Sequence, residues 1–189
     1  MRISAGVAKG RRTATKKLLS HTIKGKQLRP TSSKVREALF DILRDKIDDA
    51  LFVDLYAGTG TVGLEALSRG AKKTVFVEQS YTRVRTIQKN VTKLGFQGRS
   101  DIIRGRSCDF VARYAGENVD ICFVDPPYKS DEIDRVLTLI GKQEFLSRQG
   151  IVIVEHFFKK KVPEKVGRVI MQRSYRYGDT MLTCYGKVT

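Results

Sequence analysis

The stretch Phe52-Val53-Asp54-Leu55-Tyr56-Ala57-Gly58-Thr59-Gly60-Thr61-Val62-Gly63 runs from an apolar strand through a glycine turn into the start of a helix. Gly58, Gly60 and Gly63 carry the spacing G-x-G-x-x-G in the strand–turn–helix setting where it binds a nucleotide cofactor. Twenty residues after Gly58, the run Val75-Phe76-Val77 ends in Glu78, where a carboxylate can accept hydrogen bonds from both hydroxyls of a ribose. By these residues alone, a nicotinamide or flavin cofactor and S-adenosylmethionine both remain open, as does a plain tight turn with Asp54 capping the helix. Asp54 is the discriminating residue. Dinucleotide folds keep apolar side chains four residues before the first glycine, whereas an acid there suits a ligand bearing an ammonium and a sulfonium.

Outward from this loop the chain alternates. Helical spacing of Val35, Leu39, Ile42, Leu43 and Ile47, with Thr31, Ser32 and Ser33 as N-cap candidates, predicts a helix over 32–46. Strands are expected at 51–55, 74–78, 100–104, 119–124 and 151–155. Helices are expected at 61–69, 81–94, 107–114 and 133–140. The segments 168–175 and 180–185, joined through Gly178, read as a hairpin. Near-continuous apolar strands separated by helices predict a parallel sheet covered on both faces. The fold class is therefore α/β: a doubly wound, Rossmann-like, mostly parallel sheet with an antiparallel C-terminal hairpin edge. Ligands bind such sheets at the carboxyl ends of the strands.

The second motif lies at such an end. Val119-Asp120-Ile121-Cys122-Phe123-Val124 leads straight into Asp125-Pro126-Pro127-Tyr128. Two prolines end the strand and stiffen an extended turn that presents an acceptor (Asp125), a carbonyl (Pro126) and an aromatic face (Tyr128). An exocyclic amine on a base is a poor nucleophile because its lone pair is delocalised into the ring. Two acceptors on its N–H groups draw it toward tetrahedral geometry, and stacking on Tyr128 holds a base taken out of its helix.

Composition sets the surroundings. The chain has 189 residues, 36 Lys and Arg against 20 Asp and Glu, and a formal charge of +16. That surplus points to a polyanion. Residues 1–36 hold eleven basic residues and no acid, and short apolar–polar alternation around glycines 6, 10 and 25 reads as a small basic hairpin-like appendage over 1–31. The main α/β domain would then be 32–189. No apolar run reaches the ~18–20 residues of a spanning helix, and the amino terminus lacks a signal-peptide core. A cytoplasmic protein without a membrane partner is expected. Cys108, Cys122 and Cys184 are dispersed and there are two histidines, so neither a disulfide framework nor a metal site is expected.

These residues resemble the class I, S-adenosylmethionine-dependent amino-methyltransferases, and most of all the RsmD branch, which methylates the N2 of a guanine in small-subunit (16S) ribosomal RNA. The resemblance runs through Arg2-Ile3-Ser4-Ala5-Gly6, Lys9-Gly10-Arg11, Leu28-Arg29-Pro30-Thr31 and Val35-Arg36-Glu37-Ala38-Leu39-Phe40. It continues through Asp54 to Gly70, Glu78, Val124 to Tyr128, and Tyr177-Gly178-Asp179-Thr180. It implies S-adenosylmethionine as cofactor. Asp54, Gly58 and Gly60 would line its methionine end, with Tyr56, Ala57 and Thr59 in the same loop, and Glu78 and Gln79 would meet the ribose. Asp125, Pro126, Pro127 and Tyr128 would hold the target amine. Arg2, Lys9, Arg11, Arg12, Lys26, Arg29, Thr31, Lys34 and Arg36 would contact RNA, within a ribosomal particle, and the protein would act as a monomer. One departure stands out: where such enzymes often place an acid for the adenine amine, this chain has Arg106, with Ser107 beside it and Asp109 three residues late.

Other functions stay in view. Asp-Pro-Pro-Tyr serves the adenine amine of DNA equally well, although the chain has no extra target-recognition domain. A non-catalytic RNA-binding assembly factor would not need Asp125, and a dehydrogenase would have no use for the tetrapeptide. Glu155 reads as an edge carboxylate or ion-pair partner, Lys159-Lys160-Lys161 as a solvated loop or a second phosphate contact. Tyr175 and Tyr177 read as stacking or hairpin-packing residues.

Overall fold

A computed structural model describes residues 2–14, 32–127 and 131–188. In chain order its elements are α1 (Ser33–Ile42), β1 (Leu51–Asp54), α2 (Thr61–Ser68), β2 (Lys73–Glu78), α3 (Tyr81–Leu94), β3 (Ser100–Arg104) and α4 (Ser107–Arg113). Then follow β4 (Val119–Val124), α5 (Glu132–Lys142), β5 (Leu146–Phe157), β6 (Lys165–Val166), β7 (Val169–Tyr177) and β8 (Thr180–Lys187). The eight strands form one sheet in the order β3-β2-β1-β4-β5-β8-β7-β6. Pairing is parallel from β3 to β5 and antiparallel from β5 to β6. The order reverses between β1 and β4. Their diverging connections open a crevice at the carboxyl ends, where Asp54 and Asp125 stand.

Strand alternation sorts the core onto two faces. Val53, Leu55, Val75, Cys122, Val124, Val152 and Val154 point to the face covered by α4 and α5. Phe52, Ile121, Phe123, Ile151 and Ile153 point to the opposite face, under α1 and α2. Phe76 joins Leu64 and Leu67 of α2 and Ile87 and Val91 of α3 on that second side. The expected doubly wound α/β fold with an antiparallel carboxyl-terminal edge is thus the fold observed.

Boundaries differ where periodicity misleads. Helix α1 is capped by Ser32, whose hydroxyl accepts from the Val35 N–H at 3.2 Å, and it stops at Ile42 rather than at 46. Turn hydrogen bonds, such as Lys46 N–H to the Leu43 carbonyl, keep Ile47 in the core, so the apolar spacing outlasts the helix. β5 begins at Leu146, before the expected 151, because Leu146 already pairs with Val119 of β4, and the polar stretch Ser147-Arg148-Gln149 lies in the irregularity before Ile151 pairs with Ile121. The two-residue β6 carries no sequence signal.

The amino-terminal segment is a hairpin that packs into the domain. Arg2 bridges Arg12, and the Ile3 N–H donates to the Arg11 carbonyl at 3.0 Å. Ile3 and Ala8 are buried against α2 and α3. Its anchor is Glu65, fully buried within α2, which accepts from the N–H groups of Ser4 and Ala5 and the Ser4 hydroxyl. Arg69 donates to the same carboxylate at 2.9 Å while lying over the Phe40 ring, and the Arg36 guanidinium is 3.7 Å away. The expected RNA contact through Arg36 is thereby corrected: at 3% exposure it belongs to this buried ion pair, and burial lowers its pKa. Lys26, Arg29 and Thr31, and Tyr128 in the other motif, lie outside the described residues.

Replacing Glu65 by alanine removes the counter-charge from Arg36 where water scarcely reaches. Such a break costs roughly 3–5 kcal/mol, and a urea-denaturation midpoint should fall accordingly; a loss below about 1 kcal/mol would show that Glu65 does not hold the hairpin.

Candidate active site

Three carboxylates converge on the crevice from the ends of β1, β2 and β4. Asp54 is 2% exposed and accepts from the Gly63 N–H at 3.2 Å, at the first turn of α2. Burial pushes its carboxyl up to about 7, and the nearby charges of Asp125 and Glu78 push the same way. Glu78, 5% exposed, accepts from the Gly58 N–H at 2.9 Å and the Ser80 N–H at 2.8 Å, with Arg83 at 3.6 Å. The glycine loop is therefore laced to the β2 carboxylate.

The glycines divide their work. A Cβ on Gly63 would lie 2.3 Å from Phe76 Cε1, so Gly63 lets α2 pack on β2. A Cβ on Gly58 would meet only the Tyr56 carbonyl oxygen at 3.9 Å, so that side of the loop is open to a ligand. Ala57 is pinned by its N–H to the Val77 carbonyl at 3.0 Å. Thr59 is pinned through its carbonyl, which accepts from Asn90 at 3.3 Å.

The residues present fit S-adenosylmethionine and fit a dinucleotide poorly. A pyrophosphate would enter a mouth already crowded with negative charge, whereas an ammonium and a sulfonium would relieve it. The open Gly58 face and the Glu78 carboxylate supply the close approach and the ribose acceptors.

Not every expected contact survives. Tyr56 packs toward α4 and α5, and its hydroxyl donates to Glu132 Oε2 at 2.7 Å, so only its backbone borders the loop. The Ser107 hydroxyl donates to the Leu55 carbonyl, which leaves the backbone of that turn for an adenine. Arg106 is exposed at the N-cap of α4, 4.0 Å from Glu132, an acid that sequence reading passed over. Gln79 is exposed beside Glu78. Among the RNA candidates, Arg2, Lys9, Arg12 and Lys34 are exposed. Arg11 is exposed as well, yet its guanidinium donates to the Leu94 carbonyl at 3.2 Å and to that of Lys93, capping α3. Among the described residues no cluster suits a metal ion, and no helix is long and apolar enough to cross a membrane.

The sheet order, the glycine loop and the acid-ended strands together define a Rossmann-like methyltransferase fold. The yhhF protein of Escherichia coli superposes with a TM-score of 0.81 at 28% identity, covering 99% of this chain and 97% of its own. The YlbH protein of Bacillus subtilis is 31% identical over 189 residues, 99% of each chain. The ribosomal RNA small subunit methyltransferase D of Escherichia coli is 31% identical over 159 residues, 79% of each. A family model described as conserved hypothetical protein 95 matches residues 1–186. The chain belongs to that family, the RsmD family that the sequence resembles.

The raised pKa of Asp54 has a direct consequence for stability. The folded, ligand-free protein holds a proton there that the unfolded chain gives up near 3.8, so stability falls as pH rises from about 4 to about 7 and stays reduced above it. Asp54→Asn removes that cost. The ligand-free variant should be more stable than wild type by roughly 4 kcal/mol at pH 8 and by far less at pH 4. Urea titrations at the two pH values check this, and an equal difference at both would contradict it.

Proposed function

We propose that this protein is an S-adenosylmethionine-dependent methyltransferase acting on the exocyclic N2 amine of a guanine in small-subunit ribosomal RNA. The observation that carries the reading is the Asp125-Pro126-Pro127 turn at the end of β4, one strand from the buried Asp54 and its glycine loop. Membership of a family whose relatives include small-subunit rRNA methyltransferases supports the substrate.

S-adenosylmethionine supplies a methyl group on a sulfonium, activated for displacement. Asp54 and the Gly58–Gly60 backbone would hold its charged end, and Glu78 its ribose. Asp125 accepts from one N–H of the target amine and the Pro126 carbonyl from the other, which localises the nitrogen lone pair. Tyr128 would stack on the base. That nitrogen becomes acidic only as its new bond to carbon forms, so Asp125 need not be a strong base to take the proton. Positioning does most of the work.

The hairpin of 2–14, with the remainder of 1–31, serves as the RNA-gripping arm through Arg2, Lys9 and Arg12. Lys34 lies beside it. On this reading the protein works as a monomer in the cytoplasm, on rRNA within a ribosomal particle.

Asp125→Ala should lower methyl transfer to small-subunit rRNA by at least about 100-fold, while S-adenosylhomocysteine binding changes little. Near wild-type turnover would refute the assignment. Charge reversal of Lys9 and Arg12 should weaken RNA binding and flatten its logarithmic salt dependence by roughly 0.7–0.9 per lost phosphate contact. A loss with no change in salt slope would remove the arm from the RNA interface.

A further inference from the structure

Beside the Asp125-Pro126-Pro127 turn lies a shallow recess between the ends of β4 and β5, lined by Pro126, Pro127, Glu155, Phe157 and Lys160 among others. Its position follows from register. Val124 pairs with Val154 in parallel, so Asp125 and Glu155 stand level on adjacent strands roughly 5 Å apart. Phe123 and Ile153, two residues earlier, both pack under α1. The two carboxylates therefore leave the sheet on that same face. Glu155 is 3% exposed, an acid placed in the wall of the site. His156 lines the recess as well, and its Nε2, 2.8 Å from Thr183 Oγ1, anchors the strand end that carries Glu155. Phe157 is part-exposed at the rim, and Lys160 follows in a turn closed by its N–H to the Phe157 carbonyl at 2.9 Å.

The Watson–Crick edge of guanine presents, in order, the N2 amine, the N1–H and the O6 acceptor. The recess is lined by one carboxylate, Glu155, and by Lys160, and Asp125 stands level with Glu155 on the neighbouring strand. Building on the proposal that Asp125 holds the target amine, we infer that Glu155 selects guanine: its carboxylate accepts the N1–H of the base, and Lys160 donates to O6. A carboxylate offers about four acceptor positions, so a partner within the protein does not exhaust it. Adenine fails on both counts. Its amine lies beside an N1 lone pair, which would face the Glu155 carboxylate, and it has no O6 for Lys160. Exposed Phe157 gives the base edge an aromatic neighbour at the rim.

The test separates N1–H recognition from amine recognition. Once the modified nucleotide is located, small-subunit rRNA is assembled with either guanine or 2,6-diaminopurine at that position. The analogue keeps the N2 amine but has a lone pair at N1 and an amine at C6. Wild-type enzyme should prefer guanine by about 100-fold or more in kcat/KM, the scale set by an unmatched buried polar group. Glu155→Gln, whose amide can donate to the analogue's N1, should narrow that preference to below about tenfold. A merely structural Glu155 would lower both rates in proportion and leave the ratio unchanged, which would overturn the inference. Should Glu155→Gln fail to fold, the wild-type ratio decides alone, and a preference under about threefold overturns it. Loss of all transfer to guanine in the wild type would refute the proposed function itself, and this inference with it. Transfer to guanine with an unaltered ratio refutes only the role of Glu155.

Discussion

The crevice at the sheet's centre buries an acid that the protein would be more stable without. Asp54 sits almost out of water, near two further carboxylates, and its proton affinity is raised as a result. Such a charge persists when something outside the ligand-free chain repays it. The sheet topology puts it where a ligand can do so. β1 and β4 are neighbours whose connections leave in opposite directions, so the ends of both strands face the same opening. On the proposed function, Asp54 and Asp125 would serve two partners across one gap: a cation-bearing cofactor on the β1 side and a nucleic-acid base on the β4 side. The same electrostatics disfavour a pyrophosphate, which separates this glycine loop from those of dinucleotide enzymes.

A second buried carboxylate ties the amino-terminal hairpin to the crevice. Glu65 lies in the helix whose first turn is fixed to Asp54 through Gly63, and at its outer side it holds the backbone of Ser4 and Ala5. The hairpin and the glycine loop are thus both fixed to one short helix. Arg36 and Arg69 balance Glu65 from α1 and from the end of α2. The basic surface is held in register with the crevice by packing and hydrogen bonds, not only by chain connectivity.

The sheet was legible because its strands are short, apolar and followed by glycine or proline punctuation, which is a local signal. The crevice was legible for the same reason: Asp54, Glu78 and Asp125 all stand at or just past a strand end, and Gly58 turns the chain after the first. What escaped were contacts between distant segments. Arg36 was counted among the RNA-facing cations, yet it lies at helical spacing with Phe40, Leu43 and Ile47, a pattern that would have placed it on the buried face. Glu65 is the lone acid in an otherwise small or apolar helix, which is itself a sign of a buried partner. Glu132 gave no such sign. Its pairing with Tyr56 spans 76 residues and depends on how α5 docks against β1. Tyr56 and Ser107 were expected at the cofactor, but sequence could not show that their hydroxyls were already committed to Glu132 and to the Leu55 carbonyl.

The most direct test is transfer of a labelled methyl group from S-adenosylmethionine to unmodified small ribosomal subunits, naked small-subunit rRNA and duplex DNA in parallel, with the product nucleoside identified. The account expects N2-methylguanosine from the subunit or its RNA and no product from DNA. N6-methyladenine from DNA, or cofactor binding with no transfer to any of the three, would contradict it.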